Sequence, residues 1–222
     1  AYLGILMTAG LYMVEKGNWL MAIFVYIMGV IGFSGANIFY DSLLTIVAEE
    51  SKVDSVSSFG YAMGYLGGGL LFLLNVIMTL HPEIFGFSDA GEAVRWSFLS
   101  VALWWGTFTI FTIVWVQEPK VENRNNQKNS VIGGLKQLIH TFEEIRHLKT
   151  VIIFLLAYWF YIDGVDTIVK MAVDYGMSIG FESDDLIIAL LIVQFVGFPA
   201  ALFFGNLGEK WGVRKSIFLA IF

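Results

Sequence analysis

Gly205-Asn206-Leu207-Gly208-Glu209-Lys210-Trp211-Gly212-Val213-Arg214-Lys215 is a short charged stretch wedged between a long apolar run and the start of another. On its N-terminal side, Leu186 to Gly208 carries no charged side chain, and on its C-terminal side Ser216 to Phe222 is apolar again. A bilayer core about 30 Å thick needs roughly 20 helical residues to cross it. Working outward with that length as a ruler, Trp19 to Tyr40, Phe59 to Leu80 and Trp96 to Val116 are further charge-free runs that qualify. Val151 to Val173 is as long and as apolar but carries Asp163, Asp166 and Lys170. The 222 residues are 57% apolar, 16% aromatic and only 14% charged. A water-soluble domain of this size has no interior large enough for so much apolar surface, so lipid is the expected solvent. The fold class read from the sequence is an all-α membrane protein.

The ends and the charges organise these runs. Ala1 to Val14 and Ser216 to Phe222 read as apolar runs cut inside helices, so the reading expects a fragment of five complete spans and two partial ones. Taking the connection after Leu80 as exterior, the exterior segments hold Lys16 and Arg95. The opposite segments hold Lys52, Lys120, Arg124, Lys128, Lys136, Arg146, Lys149, Lys210, Arg214 and Lys215. The excess of basic residues places the latter side in the cytoplasm. The net charge of −6 says nothing about a partner, and the absence of cysteine excludes thiol chemistry and cysteine metal sites.

The connection from 118 to 149 is the one long polar stretch. It opens with Glu118-Pro119 and continues as a polar linker through Asn123 to Asn129. Apolar positions then follow at Val131, Ile132, Leu135, Leu138, Ile139, Phe142, Ile145 and Leu148. That spacing is helical and predicts an amphipathic helix at the inner membrane surface. The expected organisation is therefore 1–117 as helices of one half, 118–149 as the cytoplasmic connector and 150–222 as helices of the other half.

The stretch quoted first resembles the signature loop of the major facilitator superfamily, whose pattern of glycine, leucine, acid, base, glycine and a basic pair is matched by Gly205, Leu207, Glu209, Lys210, Gly212, Arg214 and Lys215. Glu209 and Lys210 stand where Asp and Arg are commoner. A narrower resemblance, to the vacuole-effluxer-like branch that includes an autophagy-linked amino-acid effluxer, rests on Ser58 to Gly69, Tyr161 to Ile168 and Gln194 to Ala200. The resemblance implies a bundle of twelve helices in two halves, of which these spans are the third to the ninth. It also implies a secondary active transporter that rocks its halves around a midplane cavity. It places the protein in a bacterial inner membrane or a vacuolar membrane, with a small polar solute, amino acids among them, as cargo.

Polar residues within the spans are the candidate handlers of solute or protons. An ionised group at mid-bilayer costs about 2.5 to 3.5 kcal/mol on insertion scales and so needs a partner or an aqueous cavity. Asp163, Asp166 and Lys170 share one helical stripe, with Asp166 four residues before Lys170 in the order that favours an ion pair. Either the stripe faces a central cavity as a solute or proton site, or Lys170 completes an ion pair by snorkelling to the interface. Asn37 and Asp41 lie one turn apart, Asp41 near a cytoplasmic helix end, where a solvated terminus is the plainer reading. Asn75 and Gln194 can touch solute or hold neighbouring helices together. Pro199 beyond Gln194 removes an amide donor and favours a bend. Glycines 60, 64 and 68 form a ladder whose expected meaning is close helix packing. Glu209, Arg214 and Lys215 are the expected cytoplasmic gate charges.

Other chemistries have little support. His81, His140 and His147 read as loop residues without the spacing of a metal pair, no cofactor or nucleic-acid partner is expected, and Asp163 and Asp166 share one helix where an aspartyl catalytic pair needs two. The lipid bilayer, a small solute and protons as coupling ion are the expected partners. The alternative to a transporter is a helical membrane scaffold or receptor of the same fold.

Overall fold

The computed structural model describes residues 1–116 and 130–221. Among the described residues eight α-helices run in order: α1 Tyr2–Gly10, α2 Trp19–Val47, α3 Val53–Leu80, α4 Ala90–Trp115, α5 Ser130–Ile145, α6 Lys149–Ser178, α7 Ser183–Trp211 and α8 Val213–Ile221. Short 3-10 turns at Leu11–Met13, Glu50–Lys52 and Pro82–Phe85 connect them, and no strand occurs among the described residues. Helices α2, α3, α4, α6 and α7 are each long and apolar enough to cross a membrane. With nothing in hydrocarbon to satisfy a backbone amide, a continuous helix is the form such apolar runs must take. The five expected spans are thus five helices, each longer than the apolar run that marked it. The expected polar linker at 118–129 lies outside the described residues. The amphipathic stretch is α5, and Leu138 and Phe142 on it are exposed. His140, expected in a loop, lies inside α5, 3.6 Å from Glu144.

The described residues form two units, 1–116 with 187–221, and 130–186. The interior of the first is made by small residues that let helices meet. Ala62 and Ala93 are completely buried. A Cβ on Gly32 of α2 would lie 2.8 Å from the Gly4 Cα of α1, and Trp105 of α4 covers Gly4 from the other side while meeting Phe33 edge-on at 5.9 Å. Asn75 of α3, 8% exposed, accepts a hydrogen bond of 2.9 Å from Ser100 Oγ of α4. The start of α4 is fixed by a reciprocal cap: Asp89 Oδ1 accepts from the Glu92 amide at 2.8 Å, and Glu92 Oε2 accepts from the Ser88 amide at 2.7 Å.

Helices α3 and α7 lie side by side along an antiparallel seam. Gly205 meets Ser58, Gly197 meets the ring of Tyr65, and Gly69 meets Gln194, so rising numbers on one helix pair with falling numbers on the other over about three turns of each. In the second unit, Gly176 of α6 receives the side chain of Leu186, where a Cβ would stand 2.6 Å from a Leu186 methyl.

The stretch quoted first is not a loop along its length. Helix α7 continues through Gly205, Leu207, Glu209 and Lys210 to Trp211, and the chain turns at Gly212 alone, whose φ of +86° suits glycine. The Gly212 amide donates to the Gly208 carbonyl at 3.0 Å and the Ser216 amide to the Gly212 carbonyl at 3.3 Å, so the backbone pairing passes almost unbroken into α8.

Candidate functional site

The first unit holds a cavity of about 680 Å³ walled by the C-terminal part of α2, the N-terminal part of α3, the end of α4 and the middle of α7. Asn37, Asp41 and Gln194, three residues singled out in the sequence for their polarity, all line it. Gln194 enters from α7 because the seam with α3 brings it against Gly68 and Gly69; its amide nitrogen is 3.7 Å from where a Gly68 Cβ would be. The lining extends from there to Asp41 and Val47 in the C-terminal part of α2.

Of the glycine ladder of α3, Gly68 packs against Gln194 of α7 as its spacing suggests, while the other two rungs make no close helix contact among the described residues. A Cβ on Gly64 would meet nothing within 4 Å, and one on Gly60 would only reach the Tyr40 hydroxyl at 3.9 Å. Both line the cavity. The close helix contacts are made instead by Gly4, Gly32, Gly69, Gly197 and Gly205. Sequence reasoning also passed over Tyr40, Tyr61 and Tyr65, which line the same space. Tyrosines four residues apart beside glycines four residues apart were the available signal, since both sets fall on one helical face.

The remaining candidates lie elsewhere. Asn75 is not among the cavity-lining residues and serves the bond to Ser100. Asp166 and Lys170 form an ion pair on α6, with Nζ to Oδ2 at 2.9 Å and both side chains more than half exposed. Asp163 is on the same helix and, among the described residues, has no side-chain hydrogen bond or ion pair. At the α7–α8 turn, Lys210 sits in the last turn of α7, where a cation complements the helix dipole. The Arg214 guanidinium lies 6.0 Å over the Phe218 ring.

The family model described as "Vacuole effluxer Atg22 like" matches residues 45–222, which takes in α3 to α8. This chain belongs to the vacuole effluxer Atg22-like family. An "Uncharacterized MFS-type transporter YxiO" of Bacillus subtilis is 36% identical over 220 residues, covering 98% of this chain and 51% of that relative. "Autophagy-related protein 22-2" of Aspergillus clavatus is 28% identical over 143 residues, 60% of this chain and 23% of its own length. "Autophagy-related protein 22" of Yarrowia lipolytica is 26% identical over 157 residues. The chain therefore spans about half the length, or less, of the curated relatives it matches. No solved structure matches it. Family membership and the five long apolar helices make it an integral, multi-pass membrane protein, with relatives in both bacteria and fungi. Within this Atg22-like chain the family match covers the α3, α4 and α7 walls of the cavity, while Asn37 and Asp41 on α2 precede it and fall in the part shared with the Bacillus relative.

Proposed function

We propose that this chain is part of a secondary carrier that moves a small polar solute across the membrane by alternating access, with amino acids the first class to test. The observation that carries the reading is the cavity itself: Asn37, Asp41 and Gln194 come from helices far apart in sequence and meet around a space of about 680 Å³ in an otherwise apolar protein. Polar groups in membrane spans are retained where they line a cavity, and this volume suits a small organic molecule. The relatives' printed names, an MFS-type transporter and a vacuole effluxer family, support the same reading.

In this scheme Asp163, Asp166 and Lys170 on α6 handle the solute or coupling protons. Glu209, Arg214 and Lys215 flank the single-residue hinge at Gly212 and act as cytoplasmic gate charges. The full-length protein is to be reconstituted in liposomes loaded with amino acids, sugars, nucleosides and amines, and the effluent followed by mass spectrometry beside an Asp163→Asn/Asp166→Asn variant. Selective, pH-driven loss of one solute class from the wild type, slowed at least tenfold in the variant, is expected. No selective efflux under either direction of pH gradient would overturn the carrier reading, and unchanged pH-driven efflux in the variant would remove Asp163 and Asp166 as proton carriers.

A further inference from the structure

The charge inventory of the cavity narrows the solute, an inference that rests on the carrier reading above. We propose that the cavity takes an amine-bearing organic cation and that the Asp41 carboxylate recognises its ammonium group. Among the described residues lining the space, Asp41 is the one acid, and none is a lysine, arginine or histidine. Among the described residues Asp41 also has no side-chain hydrogen bond or ion pair, in contrast to Asp166, whose charge Lys170 neutralises at 2.9 Å. Among the described residues the α2 carboxylate thus lines the cavity with no cation paired to it. It lies in the last two turns of α2, away from the mid-bilayer depth at which a charged side chain is most costly.

The remaining walls suit the rest of such a solute. Tyr40, Tyr61 and Tyr65 line the cavity, and aromatic rings attract a desolvated cation. Gly60 and Gly64 leave the α3 wall open beneath them. Gln194 offers a neutral amide at the far end for a hydroxyl or second polar group. A solute carboxylate would find only neutral donors here and would be repelled by Asp41. Charge alone therefore separates an amine from the amino acid of the same skeleton, and both from the acid lacking nitrogen.

Tyramine, tyrosine and desaminotyrosine provide that comparison. Binding of radiolabelled tyramine to the purified full-length protein in nanodiscs is to be competed by each. Tyramine is expected to compete at least tenfold better than either of the others, Asp41→Asn to weaken tyramine at least tenfold, and Asp41→Glu to retain most of the affinity. Gly64→Leu, placed where nothing stands within 4 Å of the added Cβ, fills the cavity and abolishes binding in a variant that tests the site without touching its charge. Equal competition by tyrosine or desaminotyrosine, tyramine binding unaffected by Asp41→Asn, or binding that survives Gly64→Leu each overturns the proposal. Selective efflux of a neutral solute from liposomes by a protein that does not bind tyramine sinks the cation assignment and leaves the carrier standing. Absence of both efflux and binding sinks the two together.

Discussion

Replacing Gly197 by alanine tests whether the α3–α7 seam is as tight as the structure has it. The added Cβ would lie 2.6, 2.7 and 2.9 Å from Cδ1, Cε1 and Cγ of Tyr65, three atoms of one rigid ring. Ordinary carbon contacts begin at about 3.5 Å, so either the helices separate by about 1 Å or the ring swings away from its wall. Overpacking of this kind costs about 1–3 kcal/mol. Gly64→Ala is the matched control, since the same change on the cavity face meets nothing within 4 Å and gains about 0.5–1 kcal/mol from the stiffer helix. The two substitutions, identical in chemistry, are expected to move stability in opposite directions. Heat-induced loss of monodisperse protein, followed by gel filtration in detergent, reads the difference. Combining Gly197→Ala with Tyr65→Ala removes the ring that is struck, so the double variant is expected to be more stable than the two single effects add up to, by about 1 kcal/mol or more. A Gly197→Ala protein as stable as Gly64→Ala, or strictly additive effects in the double variant, would refute the close approach.

Two further substitutions probe single features by the same thermal assay. Ser100→Ala removes the hydroxyl that donates to buried Asn75 and is expected to cost about 0.6–1.7 kcal/mol, the range for bonds between membrane helices; an unchanged stability would mean that Asn75 finds another donor. Gly212→Ala forces a Cβ onto a φ of +86° and is expected to cost about 1–2 kcal/mol, whereas Gly208→Ala, inside helical backbone with nothing within 4 Å, is expected to be neutral or stabilising.

Length and apolarity made the spans legible, because a helix is the one local answer to a long charge-free run in lipid. They made the ends less so. Counting only uncharged residues stops the second helix at Tyr40, yet α2 continues through Asp41 to Val47, and α3 begins at Val53 with Asp54 in its first turn. The helices run on past their charge-free stretches, and Asp41, Leu43, Leu44 and Val47 in that extension of α2 line the cavity. The turn was misjudged for a related reason: glycine and charge suggest a loop, but Glu209, Lys210 and Trp211 are all compatible with helix, and a single positive φ at Gly212 suffices to turn the chain. At the site, polarity picked out Asn37, Asp41 and Gln194 individually. That they share a space depends on which faces of α2, α3 and α7 cross, and no periodicity within one helix records that. The tyrosines escaped notice because an aromatic residue in a span has lipid as its ordinary neighbour.

Tyr65 belongs to both features of α3, lining the cavity on one side and pressing on Gly197 on the other. A solute that draws the ring further into the cavity relaxes the contact with Gly197, and one that pushes it back tightens the contact to the point where glycine is already the largest residue tolerated. Neighbouring points on the seam respond to the same motion. Gln194, itself a cavity residue, packs on Gly69, and Gly205, near the Gly212 hinge, packs on Ser58. Packed interfaces of this tightness do not deform continuously; they hold one arrangement or shift to another. A bound molecule at Tyr65 and Gln194 therefore bears directly on whether α3 and α7 stay in register. Within the carrier reading, the packing of α3 on α7 is thus a route from the cavity to the α7–α8 turn that needs neither the charges on α6 nor the residues proposed as the gate.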